Sequence, residues 1–417
     1  MSENVSRRKF AQAGLLSAAF PLLLPRRARG ANNRIRVGVI GAGAGARSNL
    51  LMDQLPDGAE IVAVADCYRK RSEDSAAKRK ANWRIYDDHR ELLDQKDIDG
   101  VIVGTNDHGR VLCSIHAVQA GKDVYAEKPL SLYVAEGRVL VRAVRKYNRI
   151  LQVGSQQRSM AMNRLACDFV RNGGLGRIRL VLAADYPEPV RMGALPEEPM
   201  PVGMNWDMWL GQTLARPFNQ ELFAHWMRYW DYSGGEMTNW GAHGVDQIQS
   251  ALGMDTTGPV EFWPLPEGPR GAVAWRYANG VEVRLELPDA GEIQGGGMFI
   301  GERGRIEITR NDFRTDPPNL IKELPPQEEI DKWKRAQWQA KYHMQDWLDS
   351  MRSRKMPLAD VEVGHRSISV CHIANITREL SRKLHWDPEA ERFTGDAEAN
   401  DRLNRKRRKG YELPESA

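Results

Sequence analysis

The sequence predicts an α/β protein whose N-terminal part is a doubly wound parallel sheet. An apolar run, Ile35–Ile40, ends in the glycine-rich turn Gly41-Ala42-Gly43-Ala44-Gly45-Ala46 and continues into a helix-like stretch from about Arg47. Strand and helix patterns then alternate as far as Val153, the order that builds a parallel sheet with helices on both faces. About 390 residues follow the first 30, more than one hydrophobic core usually serves, so a second domain is expected.

The glycine turn has the strand before it and the helix after it that a dinucleotide-binding loop requires. Gly41 permits the tight turn, and Gly43 lets the backbone approach a pyrophosphate. Ala46 takes the third position, where a small residue allows the helix to pack on its strand. The N–H groups at the N-terminus of the helix then face the phosphates. These three residues are predicted to bind the cofactor.

A second predicted strand, 60–65, ends in Asp66, 20 residues past Ala46. A carboxylate at this position accepts hydrogen bonds from ribose hydroxyls and repels a 2′-phosphate, which favours NAD over NADP. The nearby basic residues Arg69, Lys70 and Arg71 could accommodate a phosphate, so NADP stays an alternative.

The remaining strands and helices of the first part follow from the same alternation. Strands are predicted at 100–104, 123–126 and 150–153, and helices at 110–120 and 133–147. Ligands of such sheets bind outside the carboxyl ends of the strands. The segments at those ends, 105–108, 127–129 and 154–158, are polar, and Thr105, His108 and Glu127 are candidate cofactor contacts.

The charge of the chain argues against a nucleic-acid partner. The formal net charge is +5, but the first 30 residues hold six Lys or Arg and one Glu. The rest is therefore balanced, without the basic excess of a nucleic-acid-binding protein. The basic run 402–409 is predicted to be a solvated tail.

The four cysteines are predicted to be buried free thiols. Cys67, Cys113, Cys167 and Cys371 lie far apart, without paired spacing, in apolar or regular segments. Metal-ligand spacings of the zinc type are absent, so no metal site is predicted.

The first 30 residues are predicted to be a twin-arginine export signal. The pair Arg7-Arg8 precedes Phe10 and an apolar run over about 13–24, and the segment ends in small residues. The run is too short to span a bilayer, and no later segment approaches spanning length. An uncleaved amphipathic arm or membrane anchor is the alternative. A nicotinamide enzyme exported to the periplasm leaves the soluble cofactor pool, so it is expected to carry its cofactor tightly bound and to regenerate it in place.

Several motifs together resemble the glucose–fructose oxidoreductase/inositol dehydrogenase/MocA (Gfo/Idh/MocA) family. The resemblance extends over essentially the whole chain after the leader, and the order and spacing of the motifs make it specific. The tail segments 360–375 and 386–400 are similar to the twin-arginine-exported bacterial branch. The other motifs are Thr105-Asn106-Asp107-His108, Glu127-Lys128-Pro129-Leu130 after segment 120–125, segment 152–159, and Asn239-Trp240-Gly241-Ala242-His243-Gly244-Val245-Asp246.

The resemblance implies a second domain of α+β type on a large, open, mostly antiparallel sheet, which in this family often mediates dimers or tetramers. The sequence after about residue 155 agrees. It predicts strands at 178–186, 260–263, 273–276, 281–287 and 305–308 and helices at 240–252 and 363–384. The predicted domains are a signal peptide (1–30), a dinucleotide-binding Rossmann domain (31–155) and an α+β substrate and oligomerisation domain (156–417).

The resemblance also implies the catalytic residues. Lys128 would lie beside the nicotinamide and the reacting hydroxyl, where a cationic ring and partial desolvation lower its proton affinity. It could then donate a proton to the alcohol oxygen or accept one from it. His243 matches the family's catalytic histidine, the base that removes the hydroxyl proton. Most members carry Asp four positions before that histidine, whereas this chain has Asn239, a substrate contact at best. Asp246 could orient the ring instead, or serve a helix cap or a domain interface.

Aromatic residues are candidates for the substrate pocket, because aromatic faces suit the C–H surfaces of sugars. Five of the twelve tryptophans fall between residues 206 and 240, and most are expected to serve packing. Trp206 and Trp240 are the candidates for the pocket, with Arg158 and Tyr186 as further substrate contacts. The proline-rich segment 187–201 is predicted to be a surface loop, with a lid as one interpretation.

Three functions are consistent with these residues. The first is an exported NAD(P)-dependent oxidoreductase acting on a sugar, sugar derivative or cyclitol, with its cofactor cycling in place. The second is a redox-neutral glycosidase that works by transient oxidation and elimination, as one branch of the family does. The third is a non-catalytic protein that holds the cofactor, against which the retained Lys128 and His243 argue.

Overall fold

The computed structural model describes residues 34–43, 45–266, 271–288, 293–333 and 339–414, and for Gly45 and Ala46 it describes the backbone alone. The predicted export signal, residues 1–30, lies outside the described residues. The same holds for Ala44 and for the side chain of Ala46, to which the sequence assigns a role in helix packing. Ile35–Ala417 forms one compact unit.

The first sheet has six strands, all parallel, in the spatial order β3-β2-β1-β4-β5-β6. This doubly wound order confirms the fold class predicted for the first part. The order reverses between β1 and β4, where such sheets bind their ligands. The strands are β1 (Ile35–Ile40), β2 (Ala59–Ala65), β3 (Arg84–Tyr86), β4 (Gly100–Val103), β5 (Asp123–Ala126) and β6 (Leu151–Val153).

The register brings the ends of five strands to one edge of this sheet. Ile40 pairs with Ala65 on one side and with Val103 on the other. Ala126 pairs in turn with Val103 and with Val153. The residues that follow these ends therefore lie along a single edge; they are Gly41, Asp66, Gly104, Glu127 and Gly154.

Helices cover both faces of the first sheet. In the helix 134–146 the apolar residues Leu140, Val141 and Val144 are buried, while Arg145 and Lys146 occupy the last turn, where positive charge is favourable. The helices of this part are α1 (Gly45–Asp53), α2 (Arg69–Lys78), α3 (His89–Leu93), α4 (Asp107–Gln119) and α5 (Val134–Lys146).

The second sheet has nine strands in the order β13-β12-β11-β7-β10-β9-β8-β14-β15. Only the neighbours β7 and β10 pair in parallel, which confirms the mostly antiparallel sheet that the resemblance implies. Four short strands (β11, β13, β14, β15) escaped prediction because glycine or charged residues interrupt their apolar pattern. The strands are β7 (Ile178–Ala184), β8 (Glu261–Pro264), β9 (Val273–Arg276), β10 (Glu282–Leu287), β11 (Gly297–Gly301), β12 (Gly304–Ile308), β13 (Phe313–Asp316), β14 (Leu384–Asp387) and β15 (Arg392–Phe393).

The helices of the second part differ from the prediction in number and in bounds, since only those at 240–252 and 363–384 were predicted. The helix predicted at 363–384 ends at Leu380, because Ser381 has a left-handed φ of 49° and Leu384 begins β14. The helix 341–353 was not predicted, and it covers the first sheet through Trp347 and Leu348. No helix of the described residues is long and apolar enough to cross a membrane. The helices are α6 (Ala161–Arg171), α7 (Trp206–Leu210), α8 (Gln220–His225), α9 (Gly235–Asn239), α10 (Gly241–Leu252), α11 (Gln327–Asp331), α12 (Lys341–Ser353), α13 (Val361–Leu380) and α14 (Ala397–Asp401).

Residues 203–232, here called the aromatic lobe, form a small core of their own between β7 and α9. The lobe docks on the loop after β2 through the backbone: Asn205 N donates to Cys67 O at 2.7 Å, and Arg69 N donates to Gly203 O at 3.3 Å. The segment 187–201 that precedes it forms no helix or strand, as predicted. The lobe core consists of Met204, Trp206, Trp209, Leu210, Phe218, Leu222 and Tyr232.

The basic run 402–409 is anchored, so the prediction of a solvated tail was wrong. Arg405 and Arg407 donate to Glu136 of α5 at 2.7 and 3.1 Å, and the Glu136 side chain is fully buried. Arg408 pairs with Asp207 of the aromatic lobe. Residues 404–414 are here called the C-terminal strap. A charge run looks solvated in sequence because its partner Glu136 lies 269 residues before Arg405.

Acid is expected to destabilise the protein because burial lowers the pKa of seven of its histidines. For His343 and His372 the pKa falls to about 4. The pKa of each of these histidines is lower in the folded protein than in the unfolded chain. Their full contribution to the free energy of unfolding is therefore present above pH 6.5, and it is lost as the pH falls towards 4. Each such histidine should remove about 1.4 kcal/mol per pH unit over that window.

Urea unfolding at pH 7 and at pH 5 measures this loss. In the His372→Gln variant the free energy of unfolding should depend less steeply on pH, because one proton fewer is taken up on unfolding. The His385→Gln variant, changed at an exposed position, should match the parent protein. Equal unfolding free energies at the two pH values would contradict the prediction.

Candidate functional site

The glycine turn after β1 lies against the end of β4. Gly41 has a φ of 88°, and a Cβ atom on it would come within 2.9 Å of the backbone of Gly104 and Thr105. Any side chain at this position would therefore be strained twice, by the backbone conformation and by the contact. The turn, here called the glycine cradle, lies at the N-terminus of α1, the place at which dinucleotide-binding loops hold a pyrophosphate.

Two arginines flank the glycine turn: Arg71, which the sequence offers only as an alternative phosphate contact, and Arg47, which was not predicted as a site residue. The side chain of Arg71, from α2, lies where a Cβ on Gly43 would stand, and its guanidinium carbon is 4.4 Å from the ring centroid of Phe223 in the aromatic lobe. Arg47, from α1, forms an ion pair with Glu127 at 3.5 Å. Both arginines lie in the first turn of a helix that follows a strand of the first sheet. The sequence pattern of strand and helix was therefore enough to place them near the strand ends.

Asp66 is buried at the end of β2 and faces the turn. Its carboxylate accepts hydrogen bonds from Gly43 N at 3.1 Å and from Tyr68 N at 2.9 Å. Burial raises the pKa of this carboxyl, and the nearby Arg71 opposes that rise. The carboxylate thus stands beside the glycine turn, where the sequence predicts contact with ribose hydroxyls.

The cleft beside Asp66 opens into a pocket of about 720 Å³, counted with its solvent-filled mouth and here called the nucleotide cavity. One wall comes from the first sheet and includes Thr105 and His108; the opposite wall comes from Trp209 of the aromatic lobe and Tyr411 of the C-terminal strap. His108 Nε2 lies 2.7 Å from Trp209 O, and its ring meets Tyr232 edge to face, so it also ties the lobe to α4. Three distant parts of the chain enclose this cavity.

A second cavity of about 1020 Å³, here called the reaction cavity, adjoins the first. Thr105, Arg71 and Trp209 line both, so one cleft runs from Asp66 to Lys128. Thr105 Oγ1 and Glu127 Oε1 are buried and have no hydrogen-bond partner among the described residues. Buried polar atoms normally have partners, so these two are available to a bound molecule.

The residues of the cleft fit a dinucleotide. The glycine cradle and the arginines beside it suit a pyrophosphate, Asp66 suits a ribose, and the orphaned atoms of Thr105 and Glu127 suit hydroxyl or amide groups. No cluster of His, Cys, Asp and Glu in the described residues is arranged to hold a metal ion.

Lys128 lies at the end of the reaction cavity, buried except for 8% of its surface. Its Nζ donates to Asn239 O at 2.9 Å and also to Asn239 Oδ1. Burial first, and then the charge of Arg47, hold the pKa of this lysine well below its usual value, while Glu127 and Asp107 act in the opposite direction. The lowered pKa makes this lysine a better partner for proton exchange with a bound hydroxyl than a solvated lysine would be.

His243 lies in the first turn of α10, beside the same charges. Burial, followed by the charges of Lys128 and Arg310, holds its pKa well below the usual value, so the ring is neutral at pH 7. The ring meets Trp240 at 6.0 Å between centroids, and the guanidinium of Arg310 lies 5.9 Å from the Trp240 ring. Arg310 was not among the predicted site residues. It follows β12, in a stretch without any motif.

Asn239, where the resemblance implies Asp, has polar partners on both sides. Its Nδ2 donates to Glu236 Oε2 at 3.0 Å, while its two oxygens accept from Lys128. Glu236 was not predicted, although its place three residues before Asn239 on the same helix puts both on one face.

Two predicted substrate contacts are paired with each other instead. Arg158 Nε donates to Asp246 Oδ2 at 2.8 Å, and Ser367 Oγ donates to Asp246 Oδ1 at 2.7 Å. Arg158 also pairs with Asp255 at 2.8 Å. Both carboxylate oxygens of Asp246 thus have partners of their own, which favours a structural role over orientation of the His243 ring. Sequence spacing could not show this, because Arg158 comes from a segment 88 residues away.

The aromatic candidates were partly wrong as well. Trp206 stacks on Trp209 at 4.3 Å between ring centroids and donates its indole N–H to Arg216 O. It therefore packs inside the core of the aromatic lobe. Tyr186 is buried beside α10, near Gly241, in the main core. The aromatic residues that do line the reaction cavity are Trp209, Phe223 and Trp226.

Two of the four cysteines lie in the wall of the nucleotide cavity. All four are free thiols, and Cys167 and Cys371 are buried as predicted. Cys67 and Cys113 are half-buried and line the nucleotide cavity. Burial raises the pKa of Cys113 to about 12, which keeps that thiol protonated.

Comparison with known proteins connects this cleft to a family. Residues 35–155 match the family model described as "Oxidoreductase family, NAD-binding Rossmann fold", and residues 190–413 match the Gfo/Idh/MocA model described as "Oxidoreductase family, C-terminal alpha/beta domain". Together these matches cover most of the chain.

Curated relatives match over the first part. The inositol 2-dehydrogenase/D-chiro-inositol 3-dehydrogenase of Lacticaseibacillus casei is 33% identical over 129 residues, which are 30% of this chain and 36% of that protein. The inositol 2-dehydrogenase of Klebsiella pneumoniae is 31% identical over 123 residues, 29% of this chain and 36% of that protein. The matched region thus spans little more than a third of either relative.

Solved structures share the fold over a longer stretch. The aldose-aldose oxidoreductase from Caulobacter crescentus, complexed with glycerol, covers 84% of this chain and 99% of its own, with a TM-score of 0.59 and 16% identity. The WlbA dehydrogenase from Bordetella pertussis, in complex with NADH and UDP-GlcNAcA, covers 85% and 98%, with a TM-score of 0.64 and 19% identity. At such identities the likeness shows the fold alone.

Proposed function

Because this chain belongs to the glucose–fructose oxidoreductase/inositol dehydrogenase/MocA family of NAD-binding oxidoreductases, we propose that it transfers hydride between tightly bound NAD and a hydroxyl of a sugar, sugar derivative or cyclitol. The observation that carries the proposal is the continuous cleft from the glycine cradle at Gly41 to Lys128. A protein that merely held the cofactor would need no such access to a desolvated lysine.

The chain's own residues can supply the proton chemistry. NAD, when bound, accepts or returns the hydride. An ammonium has three N–H donors, of which Lys128 uses two on Asn239, so one position faces the cavity. In the neutral lysine a lone pair occupies that position and can take the hydroxyl proton. His243 is neutral and close enough to Lys128 for the lysine charge to lower its pKa, but it is not among the residues that line the reaction cavity. Trp226 and Phe223 give that cavity part of its apolar surface.

NAD is favoured over NADP by the way the basic residues after β2 are used. Arg69 pairs with Glu73 at 2.8 Å, and Lys70 pairs with Asp74 at 2.9 Å, both on the exposed face of α2. Of the three basic residues that could have held a 2′-phosphate, Arg71 alone lines the nucleotide cavity, in company with Asp66.

Asp66→Ser should raise the affinity for NADP relative to NAD by about 10-fold or more, because the carboxylate that repels the 2′-phosphate is removed while Arg71 stays. Titration of cofactor-stripped protein with either dinucleotide, followed by tryptophan fluorescence, measures the ratio. Asp87→Ser is the matched control, since Asp87 lines the same cavity but pairs with Arg69 at 3.2 Å. An unchanged ratio in Asp66→Ser would contradict the assignment.

Export and cofactor retention belong to the same proposal. The twin-arginine motif at Arg7 and Arg8 supports transport of the folded protein to the periplasm, where free NAD is absent. The aromatic lobe and the C-terminal strap, which close over the nucleotide cavity, support retention of the cofactor during and after export. Assembly into dimers or tetramers stays a prediction.

Mass spectrometry of the cofactor released from purified protein, followed by a panel of sugars and cyclitols, tests the function. The expected result is bound NAD, reduced by one class of carbohydrate and reoxidised by a second, with NADH absorbance as the readout. Release of a chromogenic aglycone without net NADH would assign the redox-neutral glycosidase instead. Failure of every sugar to reduce the bound NAD or to release an aglycone would overturn the proposal.

A further inference from the structure

Lys128, Asn239 and Glu236 form a hydrogen-bonded row at the floor of the reaction cavity. Lys128 Nζ donates to Asn239 Oδ1, and Asn239 Nδ2 donates to Glu236 Oε2 at 3.0 Å. An ammonium can only donate and an ionised carboxylate can only accept, so the amide between them has one orientation that satisfies both. The row therefore defines which end of the Asn239 amide faces the lysine.

The helix that carries this row is tied to the first sheet. Ser233 Oγ donates to Asp107 Oδ2 at 2.9 Å and accepts from Gly235 N at 3.2 Å, at the start of α9. Asp107 also pairs with Arg110 at 3.1 Å, and it lines the reaction cavity beside Lys128. The position of Glu236 and Asn239 relative to Lys128 thus depends on buried polar contacts.

We propose that Glu236 is a positioning residue that holds the Asn239 amide with its oxygen towards Lys128, so that the third N–H, or the lone pair, of Lys128 points into the cavity. The proposal rests on the proposed function for its catalytic meaning. It also accounts for the amide at position 239, because an Asp there would place a second carboxylate about 3 Å from Glu236, where two like charges repel.

The charged and titratable groups around Lys128 lie on several elements. Arg47 lies on α1, Asp107 and Arg110 lie on α4, Glu127 precedes the lysine, and His243 lies on α10. Glu236 adds a negative charge behind the amide. Removal of Glu236 should therefore make the charged form of Lys128 less favourable, because the Asn239 amide is then free to turn its oxygen away from the lysine.

The test measures the protonation of Lys128 directly, without a substrate. Purified holoprotein is labelled with acetic anhydride over a range of pH, and the acetylated peptide is quantified by mass spectrometry. In Glu236→Ala the pKa of Lys128 should fall by about one unit. In Glu236→Gln, whose amide oxygen still accepts from Asn239, it should fall less than half as far. Glu221→Ala, on the aromatic lobe, is the matched control and should leave the labelling as in the parent protein.

A double-variant cycle separates positioning from general damage to the fold. Asn239→Ala should lower the pKa of Lys128 as well, and Glu236→Ala added to it should have little further effect, because Glu236 acts through the amide. With a sugar that reduces the bound NAD, the acid limb of kcat/KM should move with the labelling pKa.

An unchanged pKa of Lys128 in Glu236→Ala, or full additivity of the two variants, would overturn the proposal. Failure of every sugar would count against the proposed function alone, since the labelling needs no substrate. If Glu236→Ala does not fold, Glu236→Gln and Asn239→Ala still decide the matter. A fall in Glu236→Gln as large as that in Asn239→Ala would overturn the orientation argument.

Discussion

Lys128→Met is expected to slow hydride transfer by a factor of about 10²–10⁴, the usual contribution of a general acid or base. The lysine lies at the end of a cleft that starts at the glycine cradle, and two of its N–H groups are held by Asn239. Methionine has a similar length and suits the partly apolar surroundings, but it can neither donate a proton nor accept one. The loss should therefore appear in the rate of the chemical step and leave cofactor binding in place.

Single-turnover reduction of the bound NAD by an active sugar, followed by absorbance, measures this effect. Lys70→Met is the matched control, because Lys70 lies on the exposed face of α2 and pairs with Asp74. Its rate should equal that of the parent protein. A rate in Lys128→Met within about threefold of the parent would show that another group, such as His243, moves the proton without help from Lys128.

Removal of the C-terminal strap, by ending the chain after Leu403, is expected to make the protein lose its cofactor on gel filtration. The strap places Tyr411 in the wall of the nucleotide cavity, and the Tyr411 hydroxyl donates to Asp207 of the aromatic lobe at 2.8 Å. Without it, one wall of the cavity opens and the lobe loses an anchor. Excess free NAD should restore the activity, because the reaction cavity is untouched.

The same truncation should also lower the free energy of unfolding, by up to about 3–5 kcal/mol. Glu136 is fully buried, and truncation removes both of its partners, Arg405 and Arg407. Truncation combined with Glu136→Gln should recover part of this stability, since an amide is less costly to bury than a carboxylate. Cofactor loss should persist in the combined variant, which separates the two effects.

A milder pair of variants isolates the contact with the cofactor site. Arg408→Gln with Tyr411→Ala removes the contacts to Asp207 and keeps the pairs with Glu136. It should raise the rate of NAD dissociation about 10-fold. Lys409→Gln, at an exposed position of the same strap, should leave that rate as it is. Full retention of NAD by the truncated protein would refute the role of the strap.

Much of the first sheet was predictable because its signals are local. The apolar runs of β1, β2 and β5 and the glycine turn each lie within a few residues of the chain. The parallel order then brings their ends to one edge, so the neighbourhood of Gly41, Asp66 and Lys128 could be expected from pattern alone. The structure confirms this sheet and its order.

Predictions about single side chains outside these motifs were less successful. Trp206 was chosen for the pocket, but its neighbour Trp209 lines it, and the two tryptophans stack on each other. Arg158 was assigned to the substrate, but it neutralises Asp246. Residue type alone does not tell which tryptophan of a cluster faces a cavity, or which charge is already paired. Those outcomes depend on packing between segments far apart in sequence.

The sequence by itself determined the parallel sheet, the glycine turn at Gly41 and Gly43, and the presence of Lys128 and His243, because each depends on residues close together in the chain. The tertiary structure alone decided that the aromatic lobe and the C-terminal strap close over the cradle, and that Asn239 sits between Lys128 and Glu236. Contacts such as the one between Arg405 and Glu136 join residues 269 positions apart. A local sequence pattern cannot predict such contacts. They stabilise the protein only when folding removes both partners from water together.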